Sequence, residues 1–516
     1  MRNPSFHRRA SLSAGSRVNR LRHLLFALVL LASWSAIAAP AHVTVSTDDG
    51  RLAGQSDGKG GAVFLGIPFA APPVGALRWR APQDVAAWSG ARDATHAPSA
   101  CAQNDYGWNK ADAAHASEDC LYLNLKTPDL HPPQPLPVLV WIHGGSNRAG
   151  SAADIDRIKL AHAGIVVVSV QYRLGVLGFL SLPALSAEQG GHSGNYGLMD
   201  QLAALKWVQR EIGRFGGDPQ RVTIAGQSAG GMDVGLLTLE ARDQKLFAGA
   251  WATGGTPAFG QSVRTLAQNE ALGTQLEQRL QVGNLPQLRD APLKALLAAD
   301  LQLHSDAITD DSYLWLQAVV DGKLVTEPPA SSLADVPATA IPYVLSTNRI
   351  ELQVPGGSAK IDRRLRQVFG EHYAAAARHY GVDGNAGAAA GAANLGTLAE
   401  RIGTDTDFRC AGNHLLARYV AHGAPAWRAQ FSFEPSHHSA ELPYLYEGKP
   451  LNATRPAVSP QAYFINFIKT GDPNGVGLPS WPRFTPDTGA YVDMGADGVH
   501  AGTHLGGSIC DLFDGV

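Results

Sequence analysis

Three runs of consecutive apolar residues interrupt the mixed patterning of this chain: Val138 to Ile142, Ile165 to Val170, and Val222 to Ala225. Each is short and rich in β-branched residues, which predicts strands buried on both faces. Between the last two, Leu202 to Phe215 carries helical spacing, and strands alternating with helices predict a mostly parallel sheet. Upstream, Val43 to about Pro82 alternates short apolar runs with Gly and Pro turns, as hairpins at a sheet edge do. Downstream, Val263 to Leu301 is Leu-rich and helical, and Ala374 to Leu398 is Ala-rich and helical. Ile341 to Leu345 and Phe431 to Phe433 read as two further strands. The pattern predicts an α/β class protein: a large, mostly parallel central sheet flanked by helices, with helical insertions over one end. No linker divides it, so residues 39–516 are expected to form one domain.

Composition narrows the function classes. The 516 residues are 45% hydrophobic and 17% charged, with a formal charge of −3. That supports a large core and supplies no basic field for nucleic acid or an anionic membrane surface. Residues 1–38 read as a signal peptide. Arg17, Arg20 and Arg22 precede an apolar run from Leu24 to Ala32, and Ala36-Ile37-Ala38 supplies a small-residue cleavage site. The run is short for an uncleaved membrane anchor, so a secreted or periplasmic protein without stable membrane association is expected. The four cysteines, Cys101, Cys120, Cys410 and Cys510, are an even number in an exported chain, as a disulfide framework requires; four thiols allow three pairings. None has the spacing of a metal or dithiol redox site, and no metal or organic cofactor is implied.

The candidate chemistry sits at the ends of the apolar runs. Gly226-Gln227-Ser228-Ala229-Gly230 follows the third run and precedes a helical stretch from Gly231 to Leu239. This is a G-x-S-x-G elbow in its strand–turn–helix setting, with Ser228 as candidate nucleophile. A bare motif of this kind also arises by chance among 56 glycines; the flanking strand and helix are what give it meaning. His143-Gly144-Gly145-Ser146 follows the first run, where small side chains can expose adjacent N–H groups as an oxyanion hole. A Ser hydroxyl needs a base oriented by an acid, in the chain order Ser, Asp or Glu, His. Nine of the 18 histidines follow Ser228, and order alone does not choose among them.

Further motifs make the choice. Phe64 to Ala70 with Pro72-Pro73-Val74-Gly75, Ser117 to Asn124, Gln171 to Gly175, Gly194 to Gln201, Phe215 to Pro219 and Thr470 to Asn474 occur in order along nearly the whole chain. With them the sequence resembles the type-B carboxylesterase family, which includes cholinesterases and bacterial para-nitrobenzyl esterases. The resemblance implies an α/β-hydrolase fold and a serine carboxylesterase acting on small-molecule esters through an acyl-enzyme. It implies Glu351 as the acid, from Asn348-Arg349-Ile350-Glu351. It implies His438 as the base, from His438-Ser439-Ala440-Glu441, with Ser439 where the family has Gly; His437 lacks the spacing to Glu441. It also implies oxyanion donors at Gly145, Ser146 and Ala229, and disulfides Cys101–Cys120 and Cys410–Cys510.

Four departures stand out. Gln227 replaces the usual Glu before the nucleophile, which removes a negative charge beside His438 and should lower its pKa. Ile350 replaces an Asp, and Thr253-Gly254-Gly255 stands for the frequent Q-S-G. Ser146-Asn147-Arg148 replaces a small residue and Phe beside the oxyanion hole. Arg148 then either points into solvent or pairs with a carboxylate on the acid part of the substrate. The same triad would serve an amidase, thioesterase or lactone hydrolase, and a non-catalytic binding protein on this scaffold would be expected to lack triad residues.

Overall fold

The middle of the sheet follows directly from the apolar runs. The computed structural model describes residues 42–513, apart from 241–243, 258–263, 307, 309, 317–318, 333–339, 384–394, 422 and 452–457. The expected signal peptide lies outside the described residues. Residues 42–516 form one compact unit.

Among the described residues, thirteen strands make one sheet. They are β1 (His42–Ser46), β2 (Arg51–Ser56), β3 (Ala62–Pro68), β4 (Ala91–Asp93), β5 (Tyr122–Thr127), β6 (Leu136–Ile142), β7 (Val166–Val170), β8 (Gly217–Gln227), β9 (Gly249–Thr253), β10 (Tyr343–Asn348), β11 (Ala426–Phe431), β12 (Tyr491–Gly495) and β13 (Gly498–Gly502). Their order is β1-β2-β3-β5-β7-β6-β8-β9-β10-β11-β12-β13, with β4 beside β2. The run from β7 to β12 is parallel throughout. The N-terminal strands pair antiparallel at one edge, as the Val43 to Pro82 pattern predicts for β1 to β3.

Alternate residues of the central strands feed two cores. Val138, Val140 and Ile142 of β6 face one apolar cluster, and Leu139 and Trp141 face the other. Both faces therefore need helical cover, which is why these strands read as unbroken apolar runs. On the first face lie α1 (Tyr196–Glu211) and α2 (Ala229–Glu240); on the second, the C-terminal helix Pro460–Thr470 presents Tyr463, Phe464, Phe467 and Ile468. Arg173 and Asp200, from two of the quoted motifs, form a buried two-pronged ion pair that fixes α1 against the sheet.

Several expectations need adjustment. α1 begins at Tyr196 rather than Leu202 and passes into a 3₁₀ turn at Ile212–Phe215. The described part of Val263 to Leu301 is broken into Leu266–Leu280, Leu285–Arg289 and Leu293–Asp300. The Ala-rich stretch is no single helix: Tyr373–Tyr380 stops at left-handed Gly381, and another helix starts at Leu398. The strand expected at Phe431 to Phe433 is Ala426–Phe431. Strands β5, β9, β12 and β13 were not legible from apolar patterning. β9 is Gly-Ala-Trp-Ala-Thr, weak in β-propensity, and becomes a strand because it is buried between β8 and β10.

Candidate active site

Ser228 sits where β8 must reverse into α2 without a connecting loop. Its φ is +58°, a left-handed conformation that costs energy for any residue with a Cβ. The flanking glycines are required by space. A Cβ on Gly226 would lie 2.3 Å from the Gly230 carbonyl oxygen, and one on Gly230 would lie 2.2 Å from that of Ile142. The Ser228 N–H donates to the Thr253 carbonyl at 2.9 Å, which anchors the turn to the end of β9. Ser228 remains partly exposed. Ala229 is the first residue of α2, so its N–H has no intrahelical acceptor.

The loop after β6 is more unusual than its small residues suggest. Gly145 (φ +112°), Ser146 (+56°) and Asn147 (+55°) are three successive left-handed residues. A Cβ on Gly145 would lie 2.0 Å from the Ala149 carbonyl oxygen. A buried polar network holds this conformation. Tyr172 donates its hydroxyl to the His143 carbonyl (2.8 Å) and to Asn147 Oδ1 (3.1 Å). Asn147 Nδ2 donates to Asp233 Oδ1 (3.2 Å), and Gln201 Nε2 donates to Asp233 Oδ2 (2.6 Å). Burial raises the Asp233 carboxyl to about 7, against the downward pull of the Gln201 and Asn147 amides. Sequence reasoning missed Tyr172 and Asp233; an Asp inside the otherwise apolar run of α2 was the available signal.

The chain brings Glu351 and His438 together. Glu351 leaves the end of β10, and its Oε2 lies 2.6 Å from His438 Nδ1. Its other oxygen accepts the Asn348 N–H at 2.6 Å, and its own N–H donates to Thr404 Oγ1 at 2.9 Å. His437 is turned away and contacts the His438 carbonyl instead. Ser439 has φ +70°, the conformation that a Gly at this position would adopt without strain. A second carboxylate, Glu441, is buried behind the pair. It accepts from Thr253 Oγ1 (2.8 Å) and Asn348 Nδ2 (2.6 Å), so Asn348 bonds to both acids. Burial raises the Glu441 carboxyl, and the Glu351 charge raises it further. For His438, burial disfavours the cation, but the hydrogen bond and charge of Glu351, aided by Glu441, more than offset it and the pKa is raised.

On the opposite edge of the imidazole, Gln227 Nε2 lies 3.2 Å from His438 Nε2. Ser228, Gln227, His438, Gly145 and Ser146 line one cavity of about 630 Å³. Arg148 is half-buried, with its guanidinium carbon 4.0 Å from the centre of the Tyr106 ring, and it is not among the residues lining that cavity. His143 is held neutral by burial, which pulls its pKa down to about 4.

Both disulfides are present. Cys101 and Cys120 bracket the segment that carries Trp108 to the cavity, and Cys410–Cys510 joins the helix Cys410–Tyr419 to the C-terminal segment. Among the described residues there is no His, Cys, Asp or Glu group arranged to hold a metal, and no helix is long and apolar enough to cross a membrane.

Residues 40–512 match the model of the carboxylesterase family. Liver carboxylesterase 1 of Oryctolagus cuniculus is 31% identical, over 92% of this chain and 93% of its own length. Fumonisin B1 esterase of Sphingopyxis macrogoltabida is 33% identical, over 86% of each. A solved structure of PNB esterase superposes with a TM-score of 0.74 at 30% identity, covering 90% of this chain and 98% of that one.

Proposed function

The chain belongs to the carboxylesterase family, and we propose that it hydrolyses carboxylic esters by two-step acyl transfer through Ser228, His438 and Glu351. The observation that carries this reading is the 2.6 Å contact from Glu351 Oε2 to His438 Nδ1, at the cavity that the strained Ser228 also lines. Glu351 fixes the imidazole with its proton on Nδ1, and the Nε2 lone pair, met by the Gln227 amide at 3.2 Å in this structure, passes to the serine hydroxyl in the reaction. His438 takes that proton as Ser228 Oγ attacks the ester carbonyl. The developing oxyanion is held by the N–H groups of Gly145, Ser146 and Ala229, where one donor is worth about 2.7–4 kcal/mol. His438 then returns the proton to the departing alcohol, and water cleaves the acyl-enzyme by the same path in reverse.

Asn348, Thr253 and Glu441 support the base from behind. The Tyr172–Asn147–Asp233 network supports the oxyanion loop. Both pre-organise groups that would otherwise have to be ordered during the reaction. We further propose that residues 1–38 are removed on export and that 39–516 works as one catalytic domain outside the cytoplasm, a reading the two disulfides favour.

An organophosphonate probe tests the catalytic reading. Wild type should be labelled at Ser228, with stoichiometric loss of ester hydrolysis, and Ser228→Ala should show neither labelling nor turnover. Labelling at another serine, or full activity in Ser228→Ala, would refute it.

A further inference from the structure

The cavity does not end at the reacting residues. Besides Ser439, its lining includes Asp154, Arg157, Ser151, Asp112 and Trp108. Trp108 is 62% exposed, and the edge of its ring lies over the oxyanion loop: its Cη2 would be 3.1 Å from a Cβ on Gly145. A lone exposed indole on a surface needs no explanation, but this one also lines the cavity that holds Ser228. The wall behind it is polar and carries both signs of charge. Asp112 accepts from Ser151 Oγ at 2.9 Å, and Asp154 accepts from Trp141 Nε1 at 3.0 Å, so each carboxylate keeps acceptor capacity beyond these bonds. Arg157 is nearly half-exposed, with Glu447 at 3.7 Å, the Tyr446 ring beside it and the Asp154 carboxylate within electrostatic reach.

We propose that this wall is the subsite for the leaving alcohol and that it takes a hydroxyl-rich ring, a sugar or cyclic polyol; the inference rests on the ester-hydrolase reading. Three chemistries could be drawn to such a wall, and its composition separates them. A cation requires acceptors alone, and Arg157 opposes it. An anion requires donors alone, and Asp112 and Asp154 oppose it. Hydroxyl groups both donate and accept, so they suit carboxylates and a guanidinium side by side. The flat indole offers a stacking surface to the C–H face of a ring.

The side of the ester follows from the mechanism. His438 must deliver its proton to the departing oxygen, so the alcohol lies beside His438 and Ser439, where the polar wall begins.

The test compares two butyrate esters of equal bulk: the 6-O-butyrate of methyl glucoside and cyclohexylmethyl butyrate. Wild type should favour the sugar ester in kcat/KM by about tenfold, mainly through KM, as a few hydroxyl hydrogen bonds to charged groups allow. The double variant Asp112→Leu, Arg157→Met should bring the ratio toward unity, and Trp108→Ala should raise KM for both ring esters. A wild-type ratio of one or below, or a ratio untouched by the double variant, would overturn the subsite while leaving the esterase intact. A piperidinium-methyl butyrate preferred over both would mean that the carboxylates read a cation, and would overturn it too. Hydrolysis of neither butyrate, with no probe labelling of Ser228, would instead bring down the esterase reading and the subsite with it.

Discussion

Replacing Gln227 by glutamate places a negative charge on the one edge of the base that this chain keeps neutral. The charged groups near His438, Glu351 and Glu441, act from the Nδ1 side, while Gln227 faces Nε2 at 3.2 Å. At that separation a carboxylate and an imidazolium attract by about 5 kcal/mol at an effective dielectric of about 20. Part of this is lost because position 227 is only 6% exposed and the new carboxylate must be desolvated. A net rise of roughly two pKa units is therefore expected, within the one to three units usual for an adjacent opposite charge. The base works as neutral imidazole, so a raised pKa harms the acid side. The lower limb of the kcat/KM profile should move up by about two units, which is about a hundredfold loss at a pH below both limbs, with the alkaline plateau retained. The assay is kcat/KM from pH 4 to 9 on a neutral ester, with Gln227→Ala as the uncharged control. A limb that stays in place or moves down in Gln227→Glu would refute the placement of Gln227 against the base.

Three further outcomes follow from the geometry. Gly145→Ala should lower kcat about a hundredfold or more with little change in KM, because its Cβ would strike the Ala149 carbonyl oxygen at 2.0 Å and displace an oxyanion donor; steady-state kinetics on a simple ester checks it. Asp233 is raised to about 7 in the fold from an ordinary value near 4, so it stabilises fully only below about pH 4, and that contribution is lost as pH rises toward 7. Asp233→Asn should therefore gain stability relative to wild type between pH 5 and 8, by up to about 4 kcal/mol from the shift alone; paired urea unfolding curves at the two pH values measure it. Trp251 is fully buried between Phe464, Phe467 and Trp481, with ring centres 4.9 to 5.8 Å away. Trp251→Ala should cost about 3–5 kcal/mol of stability, visible as a lower denaturation midpoint.

Much of the site was legible because its local geometry leaves a chemical mark. A left-handed Ser228 cannot form unless its neighbours lack side chains, and Gly226 and Gly230 declare that in the sequence. Glu351 and His438 were legible only through the family resemblance; the segments Asn348 to Glu351 and His438 to Glu441 that carry it meet at Asn348. Arg148 shows the limit of such reading. Its neighbours in sequence belong to the oxyanion loop, yet its guanidinium stacks on Tyr106, a contact that depends on where the Cys101–Cys120 segment folds back. Strand β9 and the hairpin of β12 and β13 also escaped. The Gly495-Ala496-Asp497-Gly498 turn, with glycine on both sides, was a usable signal for the hairpin, whereas Gly249–Thr253 carries no strand pattern of its own.

The sequence by itself determined the α/β class, the central strands and the elbow around Ser228, because steric demands and two-faced burial act over a few neighbouring residues. The tertiary structure alone decided which groups meet: Gln227 against His438, Asp233 beneath the loop after β6, and Trp108 in one cavity with Asp154 and Arg157. Those meetings join residues tens to hundreds of positions apart. Their energies depend on burial and on distances of a few ångströms, which only the packed chain fixes.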